Sequence, residues 1–196
     1  MIRRAALLSV LAAMACLGPR PDVSTFYVLS AMASPAAQVS PLGVTLGVGP
    51  VVIPGYLDRS ELVTRLSEHQ LALSPIARWA EPLEVGVVRV LHENLTQLLQ
   101  PDEIVGYPWY VSQEVTYGIA IEFTRLEADS SGAVEIDAAW TIGSGDHDEV
   151  FDRGRATFRG PGGGATTEAS VASLSRAFEE LATRISAQLR DLHGAR

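Results

Sequence analysis

The sequence predicts an α+β domain in which a mostly antiparallel sheet packs against two helices. Two long stretches carry apolar residues at helical spacing, three consecutive runs between them alternate apolar with polar residues, and the connections between those runs are short and turn-rich. With 196 residues, 47% hydrophobic and 19% charged, the chain can bury one ordinary core, so a single domain is expected.

The first element is a leader. Arg3 and Arg4 precede the apolar stretch Ala5 to Ala15, and Ala13-Met14-Ala15 places small residues where a signal peptidase cuts. The run is shorter than the roughly 20 residues needed to cross a bilayer, so residues 1–15 read as a signal peptide. Cys16, the one cysteine, excludes an intramolecular disulfide and would begin the mature chain. This arrangement resembles a lipobox, in which the sulfur receives a diacylglycerol and the new amine is acylated, although Ala13 stands where Leu is usual. The other reading is ordinary cleavage that leaves an incidental thiol. Residues 16–22 then form the anchor and a short tether, and 23–196 the folded domain.

Phe26 to Leu29 reads as a first strand, and Met32 to Pro41 as a loop rich in small residues and proline. Val44, Leu46 and Val48 alternate with Thr45, Gly47 and Gly49, which predicts a strand ending near Pro50 or Pro54 with one face left bare by its glycines. Leu62 to Arg65 and Gln70 to Leu73 fit two short strands around a Ser67-Glu68-His69 turn. Pro82 suits the start of a helix whose face is Leu83, Val87, Val90, Leu91, Leu95 and Leu98. The three alternating runs begin at Val115, Val134 and Val150. A last helix, capped by Thr166 or Thr167 and stopping at Gly194, carries Val171, Leu174, Phe178, Leu181, Ile185 and Leu189 as a stripe.

No catalytic, cofactor or metal motif stands out. A chain without lysine has no phosphate-binding G-x-x-x-x-G-K-[ST], Gly47 to Pro50 lacks the rest of a dinucleotide fingerprint, and there is no G-x-S-x-G elbow. Pro161 to Gly164 reads as a flexible connection. His69, His92, His147 and His193 are scattered, and Gly145 to Glu149 reads as a hairpin turn before it reads as a metal site. The formal charge of −8, about −10 once Arg3 and Arg4 are cut away, argues against nucleic acid. Arg153, Arg155 and Arg159 are expected to pair across strands with Glu135 and Asp137. The candidate partner contacts are Tyr56, Arg78, Trp79, Tyr107 and Trp109, because Tyr, Trp and Arg dominate binding hot spots; core-sealing is the competing role for Trp79 and Trp109.

The leader ending at Cys16, the FYVLS strand, the block Gly47 to Arg65, the block Arg78 to Leu99, the YPW triplet and the strand containing Trp140 together resemble the PqiC-type lipoproteins, auxiliary components of ABC-type transport systems. The resemblance covers nearly the whole chain. It implies a non-enzymatic binding and scaffolding subunit that works with a periplasm-spanning MCE-domain protein in lipid movement between membranes. Leu17 rather than Asp after the anchor implies sorting to the outer membrane, at its periplasmic face. A second copy of the chain stays open as a further partner. The alternatives are an envelope enzyme, which needs a His within reach of a carboxylate and a hydroxyl inside a cleft, and a soluble lipid-carrying chaperone, which needs an enclosed apolar pocket.

Overall fold

A computed structural model describes residues 23–33, 40–110, 113–146, 148–160 and 166–195. Cys16, the tether, His147 and Pro161 to Gly164 lie outside them. Eight strands form one open mixed sheet: β1 (Thr25–Tyr27), β2 (Thr45–Val52), β3 (Glu61–Ser67), β4 (Gln70–Trp79), β5 (Glu103–Gly106), β6 (Tyr117–Asp129), β7 (Val134–Gly143) and β8 (Val150–Gly160). Two helices, α1 (Leu83–Leu99) and α2 (Thr167–Gly194), complete the single α+β domain.

The expected hairpins are present. β6–β7 and β7–β8 are the longest ladders and antiparallel, as is β3–β4. The parallel pairings β1–β4, β2–β5, β2–β6 and β3–β6 join strands distant in sequence, as parallel neighbours require a crossover. β6 is the axis. β7 runs along one side of it, while β2 and β3 share the other side in tandem: Leu46 to Val52 faces Tyr117 to Glu122, and Thr64 and Arg65 face Ala128 and Asp129. Between them the chain leaves the sheet through a 3-10 turn at Gly55–Leu57. β3, β4 and β1 therefore form an arm joined to β6 by a two-residue ladder.

The core lies between one sheet face and the helices. All six stripe residues expected on α2 are buried, as are Leu83, Val87, Val90, Leu91 and Leu95 of α1, with Leu99 rather than Leu98 fully inside. Phe178 meets Phe123 edge to face at 5.8 Å. The Trp140 indole lies over Gly154, where no side chain could fit, and its Nε1 donates to Gln188 Oε1 of α2 at 2.6 Å. The Thr166 side chain accepts from the Ala169 amide, as a cap should.

Several expectations need correction. β4 does not stop at Leu73 but continues to Trp79, so Arg78 and Trp79 belong to a strand. It absorbs Pro75 because the register against β3 shifts between Val63↔Leu73 and Glu61↔Arg78, leaving Pro75 in a bulge where no ladder amide is needed. The run expected from Val115 enters the sheet only at Tyr117. β5, unforeseen, pairs with β2 through four residues.

Candidate partner-binding face

The sheet face turned away from the helices is where the sequence-predicted aromatics Tyr107 and Trp109 sit. Their position follows from the glycines of β2. A Cβ on Gly47 would stand 2.7 Å from the Trp109 ring, and one on Gly49 would stand 2.5 Å from Tyr107 Cβ. Gly49 also has φ +125, a conformation that L side chains rarely adopt. The face expected to be bare is thus covered by a loop some sixty residues later in the chain. Cis peptide bonds precede both Pro50 and Pro108. The loop is fixed by Tyr107 N donating to Val48 O at 3.1 Å, by Trp109 Nε1 donating to Gly145 O at 2.8 Å, and by edge-to-face packing of Tyr107 on Trp109 at 5.5 Å. Tyr110 remains 78% exposed.

Beside this loop a shallow groove of about 590 Å³ has a floor of Pro50, Val52, Ala120, Ala139 and Gly154 and a polar border of Glu122, Thr141, Arg153 and Arg155. The register explains that border, keeps the expected ion pair of Arg159 with Glu135 and overturns those expected of Arg153 and Arg155. Glu135 faces Arg159, but Asp137 faces Thr157, while Arg155 and Arg153 face Ala139 and Thr141. Arg159 Nε accordingly donates to Glu135 Oε2 at 2.8 Å and Thr157 Oγ1 donates to Asp137 Oδ1. Arg153 and Arg155 make no ion pair among the described residues and stand exposed beside the groove.

The other candidates lie elsewhere. Gly47 pairs with Gly118, whereas Arg65 pairs with Asp129, a separation of roughly 35 Å along β6 at strand rise; the five proposed contacts do not form one site. Tyr56, in the 3-10 turn, donates its hydroxyl to Glu127 Oε2 at 2.7 Å. Its pKa is raised to about 12, by burial first and then by the hydrogen bond to that carboxylate, so it stays a donor at ordinary pH. Glu127, its side chain 1% exposed, also ion-pairs with Arg65 and, at 3.3 Å, with Arg125. Arg78 ties the arm together by donating to Ser24 Oγ, Ser60 Oγ and Glu61 Oε1. Trp79 is core. Sequence reading missed Glu127; its signal was a carboxylate between Leu126 and Ala128 inside a strand.

The Gly145 to Glu149 turn holds its own acid: Asp146 Oδ1 accepts from the Ser144 hydroxyl and, at 3.1 Å, from the Asp148 amide. Among the described residues no cluster of three His, Cys, Asp or Glu side chains could hold a metal, and no helix is long and apolar enough to cross a membrane. Burial lowers the pKa of His92, with a backbone hydrogen bond at Val105 opposing it.

Residues 27–186 match the family model described as the ABC-type transport auxiliary lipoprotein component. Protein XCC0632 from Xanthomonas campestris, a DUF330 protein, superposes with a TM-score of 0.71 at 17% identity, covering 84% of this chain and 94% of that one. The crystal structure of an uncharacterized protein gives 0.68 at 18%, covering 84% and 97%. At those identities the likeness is one of fold. No curated protein matches the sequence.

Proposed function

Because the chain belongs to the family of ABC-type transport auxiliary lipoprotein components, in keeping with its resemblance to the PqiC-type proteins, we propose that it is a non-enzymatic scaffold anchored through Cys16 at the periplasmic face of the outer membrane, serving an MCE/ABC-type intermembrane lipid transport system that supports outer-membrane integrity. The observation that carries a binding role is the outer sheet face. Its aromatic loop is pre-positioned over Gly47 and Gly49, and the same face carries Arg153 and Arg155, which no carboxylate neutralises among the described residues. A rigid aromatic and unneutralised arginines on one face are the residue types of an interface hot spot. The partner this reading assigns is the periplasm-spanning MCE-domain protein.

Trp109→Ala and Arg155→Glu, each purified as a folded protein, should lose partner co-purification by tenfold or more, on the order of a hot-spot residue's 2 kcal/mol, and fail to rescue the envelope defect of a deletion strain. Cys16→Ala should abolish lipid labelling and release the protein from outer-membrane fractions. Unchanged partner recovery in both face variants would overturn the assignment of this face. A His147→Ala protein that binds its partner yet fails to rescue would point instead to chemistry at the Asp146 to Asp148 turn.

A further inference from the structure

Of the eleven large hydrophobic side chains left exposed among the described residues, six lie in one part of the sheet. Val23 (68% exposed), Phe26 (59%) and Val28 (51%) lie on β1 and its flanks, Leu73 (49%) and Ile76 (47%) on β4, and Leu66 (46%) on β3. All six belong to the arm of β1, β4 and β3. β1 lies at the sheet edge, and its Thr25 pairs with Ala77, the neighbour of Ile76. Ile76 is displayed by the β4 bulge, in which the Ser74 hydroxyl accepts from the Ile76 and Ala77 amides. Exposed apolar side chains gathered in this way mark an interaction site rather than ordinary surface scatter.

The occupant is indicated by where the chain leaves this patch. Val23 is the first described residue, and the seven residues back to Cys16 span at most about 25 Å when fully extended. An acylated Cys16 thus holds Val23, the end of the patch next to the tether, within that distance of the bilayer. The other end of β1 is fixed to the body of the domain. Leu29 O accepts from Arg89 Nη2 at 2.9 Å, Ser30 N donates to Ser175 Oγ at 3.1 Å, and the Met32 amide and carbonyl are bound by Asn94 and Gln97. The strap that follows β1 is therefore clamped to both helices. Arg78 pairs with Glu61 and Arg65 with Glu127, so neither arginine meets the lipid as an unpaired charge, while Glu68 stands exposed at the hairpin tip.

We propose that the apolar edge formed by Val23, Phe26, Val28, Leu66, Leu73 and Ile76 is a membrane-docking surface that lies on the lipid headgroup region beside the anchor, fixing the orientation of the domain. This rests on the anchored reading above. Docked on this edge, the arm would leave the aromatic loop at the opposite half of β6, beside β2, turned toward a partner. Contact is apolar, so it should occur on zwitterionic lipid and persist at high salt.

The native chain contains one cysteine, which acylation blocks, so a second one can be labelled alone. The mature lipoprotein carrying Ile76→Cys, and separately Ala187→Cys on the exposed side of α2, is labelled with an environment-sensitive fluorophore and reconstituted into phosphatidylcholine–phosphatidylethanolamine vesicles. Lipid-borne quenchers should reach the label at position 76 and not the one at 187. Adding Phe26→Glu and Leu73→Glu should abolish that quenching. Equal, weak quenching at both positions overturns the proposal, as does a position-76 label already shielded in lipid-free solution together with a dimer that the glutamates dissociate, which would assign the edge to a second copy. A chain bearing Cys16→Ser reads the patch without the anchor: Phe26→Glu should lower its vesicle binding roughly tenfold, and equal binding of the two overturns the patch. Patch-dependent binding combined with a mass spectrum showing unmodified Cys16 in the native protein overturns the anchor alone.

Discussion

Glu127→Gln should loosen the arm from the rest of the sheet. The β3–β6 ladder consists of Thr64↔Ala128 and Arg65↔Asp129, so the attachment depends heavily on the side chains around Glu127. That carboxylate is 1% exposed and receives Arg65, Arg125 and the Tyr56 hydroxyl. Removing one partner of a buried ion pair costs about 3–5 kcal/mol. Here the cost falls below that range, because Arg65 keeps the Glu68 carbonyl at 3.1 Å and Arg125 keeps Glu135 at 2.6 Å; we expect about 2–3 kcal/mol. Chemical denaturation reads the total. Hydrogen exchange reads the location: amides of β3 and β4 should lose protection while those of β7 and β8 keep theirs. Replacing both charges, with Arg65→Met and Glu127→Leu together, should cost less than the sum of the single changes. A loss under about 1 kcal/mol for Glu127→Gln, or protection lost evenly across the sheet, would refute the idea that this cluster holds the arm.

Two further outcomes follow from the packing. Gly47→Val should lift Trp109 off β2, because a Cβ there already stands 2.7 Å from the ring; we expect a red-shifted tryptophan emission and a loss of about 1–2 kcal/mol, chiefly the indole hydrogen bond and ring contacts, and an unchanged spectrum would show that the ring does not rest there. His92 has its pKa lowered by burial, so the unfolded chain takes up its proton first as pH falls. Stability from this group is complete above the ordinary histidine value near 6.5 and is lost as pH drops through the lower folded value. Thermal midpoints between pH 7.5 and 5 should therefore decline less in His92→Gln than in the native protein.

The sequence alone determined the two helices, their buried stripes and the β6–β7–β8 meander, because a period of 3.6 or 2 sustained over ten or more residues admits one amphipathic solution. Stripe residues such as Val87 and Phe178 are fully buried for that reason. It also carried enough of the family's pattern to be recognised from blocks such as Gly47 to Arg65. Tertiary structure decided what depends on distant partners. β5 has a single buried residue, Val105, too little for a periodic signal, and exists because β2 offers it an edge. The fate of Arg153 and Arg155 depended on the β7–β8 register, since one step of register decides which side chain faces which. Gly47 and Gly49 read as a bare face because nothing local announces Tyr107 and Trp109. Glu127 became the hub of the arm when the β6 register shift between Phe123 and Arg125 aimed it away from the core, toward Arg65 and Tyr56. Periodicity is a property of neighbours along the chain, whereas pairing, covering and neutralising are properties of neighbours in space.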